Sequence, residues 1–161
     1  ALAIAKTYND WLGEFCSAAP KRIKGIAMLN VDSVETAVSE LERCAKMGFV
    51  GAMIPVYPIP GQLYDNPVYE PLWAAAQDLD MPLSLHSSTN RIGFYATPQD
   101  QRAAYVTCMY RWAELSLADI IFGRAFDRYP KLRAGSVEHE LAWVPHFLDR
   151  MNYTYTQRTG Q

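Results

Sequence analysis

Apolar positions along the chain fall into two rhythms, and they alternate. Tyr8, Trp11, Leu12 and Phe15 recur at helical spacing and predict a helix over residues 7–19 that stops at Pro20 and Lys21. The chain begins without an N-cap residue, as though entering mid-helix. Residues 23–29 form a compact apolar run of strand length. Next, Val34, Ala37, Val38, Leu41, Cys44 and Ala45 mark one face of a second helix, with Glu35, Glu40, Glu42, Arg43 and Lys46 mostly on the other. Asp32 or Ser33 supplies its N-cap, and Gly48 stands at its C′ position. Residues 51–56 are a second apolar run with no alternation, the pattern of a strand covered on both faces.

The 57–67 stretch holds three prolines, a glycine and two tyrosines without a period, and reads as a long loop. Leu72, Ala75, Ala76 and Leu79 predict a helix over 67–79. A third strand, 81–86, ends at His86. A second loop follows Arg91. The tract 101–129 reads as mostly helical with a break near 117–119, residues 132–137 as a fourth strand, and 140–157 as a last helix. Its apolar stripe is Leu141, Val144, Phe147, Leu148, Met151 and Tyr155, and its aromatic residues Trp143, Phe147, Tyr153 and Tyr155 read as packing.

Strand and helix therefore alternate four times, which predicts an α/β fold with parallel strands joined by right-handed crossovers. Two architectures fit: four consecutive βα units of a (β/α)8 barrel, or an open flavodoxin-like sheet. The spacings of 27 residues from Ile26 to Met53 and 30 from Met53 to Leu83 suit a barrel of about 250 residues, of which this chain would supply half. The expectation is one partial domain over 1–161, truncated at both ends. In either architecture ligands gather at the C-terminal ends of the strands.

Composition narrows the partners. Half of the residues are hydrophobic, a fifth are charged, and the formal charge is −2 with no basic run, so neither nucleic acid nor an anionic membrane finds an electrostatic footprint. Nowhere does an apolar run approach the roughly 20 residues needed to span a bilayer. Cys16, Cys44 and Cys108 are odd in number and widely spaced, which points to free thiols and a cytoplasmic setting. No glycine-rich phosphate loop, CxxC pair or GxSxG elbow is present.

The candidate chemistry lies where strands end. His86 closes the third strand and His139 follows the fourth, which puts two imidazoles on neighbouring strands of one face, roughly 5 to 10 Å apart at a strand spacing of about 4.8 Å. Imidazole is the commonest side chain for both metal ligation and proton transfer near neutral pH, and the pattern leaves both open. Asn90 and Arg91 follow His86 closely, and the arginine is placed to hold a substrate carboxylate. Glu138 is expected on the opposite side of an extended strand, in a structural ion pair. His146 falls on the last helix, away from the strand ends, and receives no role.

Several segments carry a resemblance to a known family. Tyr8-Asn9-Asp10-Trp11-Leu12, the 34–48 helix leading into Gly51-Ala52-Met53-Ile54-Pro55, Tyr64-Asp65 with Pro71-Leu72-Trp73-Ala74-Ala75-Ala76, Pro82-Leu83-Ser84-Leu85-His86, and the stretch from Glu138 through Trp143-Val144-Pro145-His146-Phe147-Leu148-Asp149-Arg150-Met151 resemble the amidohydrolase-related family of metal-dependent TIM barrels. That family includes aminocarboxymuconate-semialdehyde and resorcylate-type decarboxylases alongside hydrolases. The resemblance implies a (β/α)8 barrel holding one divalent ion, often zinc. Its ligands are a His-x-His or Glu-x-His pair on the first strand, a histidine on the fifth and an aspartate on the eighth. His86 matches the fifth-strand metal ligand. His139 matches the histidine after the sixth strand, which acts on the substrate or on metal-bound water. No His-x-His occurs here and no eighth-strand aspartate follows His139, so the resemblance covers strands three to six.

The implied function is hydrolysis or decarboxylation of a small carboxylated or aromatic substrate, with the remaining metal ligands outside this chain. The rival expectation is a non-catalytic half-barrel that forms a homo-oligomer to cover its edge strands.

Overall fold

The structure, a computed structural model, describes residues 2–87, 89 and 102–158. Helix α1 (Leu2–Ser17) precedes β1 (Ile26–Met28), α2 (Val34–Lys46) and β2 (Gly51–Pro55). A 3-10 turn (Pro67–Tyr69) then leads into α3 (Glu70–Asp78) and β3 (Leu83–His86). The chain continues through α4 (Arg102–Thr107), α5 (Tyr110–Phe122), α6 (Ala125–Arg128), β4 (Ala134–Val137) and α7 (Val144–Gln157). The four strands form one parallel sheet in the order β1-β2-β3-β4. The α/β class and the parallel sheet are as the alternating pattern predicts. Strand order follows chain order without reversal, so the switch point of a flavodoxin-like sheet does not occur among the described strands.

Local chemistry explains the best-defined element. Ser33 caps α2 by accepting from the Thr36 N–H at 3.3 Å. At the other end Gly48 adopts φ +88°, which lets its own N–H bond Ala45 O at 3.0 Å and the Phe49 N–H bond Cys44 O at 3.1 Å. That pair of bonds is a Schellman motif, open to glycine at little cost. Below it, Leu41 and Cys44 meet Ile54, Leu83 and Leu85 in a core whose members are almost fully buried.

The outer edge of β1 is closed by one side chain. Leu29 N–H bonds Met53 O across to β2 at 3.0 Å, so the polar groups of Met28 face the other way. Asn9 of α1, wholly buried, meets both. Its Oδ1 accepts from Met28 N at 2.8 Å, and its Nδ2 donates to Met28 O at 3.0 Å and to Glu40 Oε1 at 2.8 Å. Glu40 in turn accepts from Arg43, which also pairs with Asp10. Leu12 packs against the core, while Trp11 and Phe15 stay about half exposed.

The long 57–67 loop is packed from within. Tyr64, Tyr69 and Trp73 form a buried ring cluster with centroids 4.9 to 5.8 Å apart. Tyr64 donates to Pro55 O at 2.6 Å and Tyr69 to Gln62 O at 2.9 Å.

Three sequence expectations need revision. The helical tract breaks at Cys108–Met109 and again at Gly123–Arg124, while 117–119 lies inside α5. The nearby Ser116 serves as a tether, donating to Val56 O at 2.6 Å. The last helix starts at Val144, not 140, because Glu138 and Glu140 hold left-handed φ values of +62° and +58°. Of the aromatic stripe on α7, Trp143 and Phe147 are buried but Tyr153 and Tyr155 are exposed. No helix among the described residues is long and apolar enough to cross a membrane.

Candidate functional site

His86 is carried to the C-terminal end of β3 by a ladder that extends one residue further, with Ser87 N–H on Val137 O at 3.2 Å. Thr89 braces this end from the other side. Its hydroxyl donates to His86 O and accepts from Val56 N at 2.7 Å, joining the ends of β2 and β3. The His86 ring lies with Nδ1 3.0 Å from Ser87 O. A carbonyl only accepts, so Nδ1 carries the hydrogen, and Nε2 is the nitrogen free to present a lone pair.

Glu138 faces that lone pair. Its Oε2 is 3.6 Å from His86 Nε2 and accepts from the buried Ser87 hydroxyl at 2.8 Å. The expected ion pair has a partner, His86, but the expected side was wrong: β4 ends at Val137, and the left-handed backbone at Glu138 places its carboxylate toward β3 instead of away from it.

His139 occupies a different environment. It is 3% exposed, its Nδ1 lies 2.8 Å from Ser136 Oγ, and its backbone carbonyl accepts from the Trp143 indole at 2.8 Å. Its Nε2 is buried with no partner among the described residues. Burial pushes the His139 pKa down, the charge of His86 pushes the same way, and the Glu138 carboxylate opposes both. The ring is therefore neutral at pH 7.

A cavity of about 740 Å³ opens beside His139, with Tyr110, Glu114, Glu138, Trp143 and His146 among its walls. His146, expected far from the strand ends, lines the same space from the first turn of α7. Burial raises the Glu114 carboxyl, partly offset by His146. Asn90 and Arg91, the predicted substrate-binding pair, lie outside the described residues.

Sequence reasoning thus brought forward both imidazoles but missed Ser87, Ser136, Glu138 and Thr89. The one available signal was that each histidine follows or precedes a serine within three residues. For a divalent cation the donor set is partial. An imidazole lone pair and a carboxylate face each other, which suits a borderline or hard ion, yet no group of three or more His, Cys, Asp or Glu gathers among the described residues. Chemically the site offers one solvent-open nitrogen for ligation and one buried nitrogen for proton transfer.

The gamma-resorcylate decarboxylase of Rhodococcus jostii (strain RHA1) is 37% identical over 101 residues, covering 53% of this chain and 29% of that protein. The 2-amino-3-carboxymuconate-6-semialdehyde decarboxylase of Dictyostelium discoideum is 26% identical over 163 residues, covering 98% of this chain and 43% of its own length. Among solved structures, a dihydroxybenzoic acid decarboxylase from Polaromonas sp. JS666, with bound manganese and the inhibitor 2-nitroresorcinol, superposes with a TM-score of 0.68 at 29% identity. That match covers 84% of this chain and 43% of the other. The chain spans less than half the length of these relatives. The sequence profile described as Amidohydrolase matches residues 1–155, nearly the whole chain, and the chain belongs to the amidohydrolase family.

Proposed function

We propose that this chain supplies four consecutive βα units, the third to the sixth, of a (β/α)8 barrel enzyme that decarboxylates a small aromatic or otherwise carboxylated substrate. The observation that carries the reading is the unlike state of the two imidazoles on adjacent strand ends: His86 offers a fixed, solvent-open lone pair, and His139 is buried and neutral. The relatives named above are decarboxylases, which favours carbon–carbon cleavage over hydrolysis.

In this reading His86 holds a divalent ion, zinc or manganese, together with ligands outside the chain. When bound, such an ion supplies Lewis acidity that polarises substrate oxygens. Loss of CO2 leaves a carbon that must take up a proton. His139, neutral at rest, takes up a proton at Nε2 from solvent or from the substrate and passes it to that carbon, while Ser136 fixes the ring through Nδ1. Trp143 and Tyr110, whose rings lie 6.5 Å apart and nearly parallel, wall the cavity. Arg91 and Asn90 are the candidates for orienting the substrate carboxylate. The free thiols Cys16, Cys44 and Cys108 support a cytoplasmic setting.

The test is metal analysis and turnover of the full-length protein with a 2,6-dihydroxybenzoate-type substrate. His86→Ala is expected to lose the ion, and His139→Ala to keep it while losing turnover. Retention of metal in His86→Ala refutes the assignment. The exposed Ile4, Trp11 and Phe15 face of α1 favours a second reading, a homo-oligomer that covers this surface; sedimentation at monomer mass removes it.

A further inference from the structure

We infer that Glu138 is a second ligand for the divalent ion assigned to His86, a role that rests on the metal reading above. Four observations converge on this residue. First, the gap between His86 Nε2 and Glu138 Oε2 is 3.6 Å. That is too long for a direct hydrogen bond. It is close to the roughly 3.4 Å that separates two donors sharing one tetrahedral ion at about 2.1 Å each. Second, the imidazole is already oriented for ligation: Nδ1–H is spent on Ser87 O, which leaves the Nε2 lone pair directed outward, the arrangement that outer hydrogen bonds impose on metal-binding histidines.

Third, the carboxylate is itself held. The Ser87 hydroxyl, on a side chain 5% exposed, donates to Oε2 at 2.8 Å, so one residue of β3 orients both donors, through its carbonyl and through its hydroxyl. Oε1 remains open. Fourth, the backbone at Glu138 sits at φ +62°, a left-handed conformation that glutamate rarely adopts. Strain of this kind persists where a particular side-chain direction is required, and here that direction is toward His86. Both groups are open to solvent, so an ion can reach them. A carboxylate beside the imidazole also offsets part of the charge of a divalent ion, which a lone histidine cannot do.

The experiment is a zinc titration of the full-length protein, stripped of metal and competed against a chromogenic chelator, with Zn2+ alone as the probe. Glu138→Gln preserves size and an acceptor for Ser87 but removes the anionic donor. Affinity is expected to fall on the order of a hundredfold, at least the effect of losing an outer-shell partner. The visible bands of the Co2+-loaded protein are expected to shift in the same variant. Unchanged affinity and unchanged Co2+ bands in Glu138→Gln, with affinity lost in His86→Ala, overturn the role of Glu138 and leave the metal reading standing. Native affinity in His86→Ala, or no zinc bound by the native protein, overturns both.

Discussion

Asp119 carries a half-buried carboxyl that the catalytic reading does not use, and replacing it should stabilise the protein at neutral pH. Its Oδ2 lies in the interior of the α5 contact with the 57–67 loop, without a hydrogen-bond partner among the described residues. Burial, and then the charge of Asp65, raise its pKa from 3.8 to about 6. The folded-state value lies above the unfolded one, so the favourable contribution is complete below about pH 3.8 and is lost as pH rises through about 6. Above that, folding carries an ionised carboxylate into an unfavourable site. The full difference corresponds to roughly 3 kcal/mol. Water reaches part of the half-buried side chain, and screening halves that figure to about 1–1.5 kcal/mol. In a protein of this size the change is a rise of about 3–5 °C in melting temperature. Thermal melts of native protein and Asp119→Asn from pH 4 to pH 8 provide the assay. The two should coincide, or the native protein should lead, near pH 4, and the variant should lead by the stated margin at pH 8. Equal melting temperatures at pH 8, or a gap that does not change with pH, would falsify the account.

Three further outcomes follow from the same geometry. Asn9→Ala strands Met28 N and O at the outer edge of β1, while Glu40 keeps Arg43, and urea unfolding should show a loss of about 2–4 kcal/mol. Gly123→Ala places a methyl 2.6 Å from Asp119 O and 2.9 Å from Asp65 Cα; with backbone on both sides the helix must shift, and a loss of about 1–3 kcal/mol is expected by the same method. His139 has its pKa depressed by burial, so its contribution is present above about pH 6.5 and drains away as pH falls through the lower folded-state value. Replacing it by Asn should make the acid limb of the stability–pH curve shallower between pH 7 and pH 5, and an unaltered limb in that variant would contradict its burial as a neutral ring.

The parts of the fold legible in the sequence are those governed by spacing. The apolar face of α2, its serine cap and Gly48 are local facts, and an apolar run that stops at a histidine announces the end of β3. What stayed hidden depends on groups distant in the chain. Asn9 shows no period that marks it as buried, because its partners lie 19 and 31 residues away. Ser87 and Glu138 meet across 51 residues. Ser116 has its acceptor, Val56 O, 60 residues back.

Glu138 is the instructive case. An extended strand alternates its side chains, and continuing that alternation past Val137 sends the carboxylate away from His86. A left-handed residue reverses the direction, and nothing in Val-Glu-His-Glu marks one, since the usual signals are glycine and asparagine. A second left-handed residue, Glu140, precedes the later start of α7, whose first turn puts His146 on the cavity wall. Two backbone torsions unreadable from composition therefore decide which acids and imidazoles share the space at the strand ends. Their unlike surroundings divide the work that the two histidines have in common as residues. Ser87 leaves His86 an outward lone pair beside a carboxylate, and Ser136 and Trp143 enclose His139 as a buried, neutral ring. Exchanging those surroundings, more than exchanging the histidines themselves, is what would abolish the division of roles.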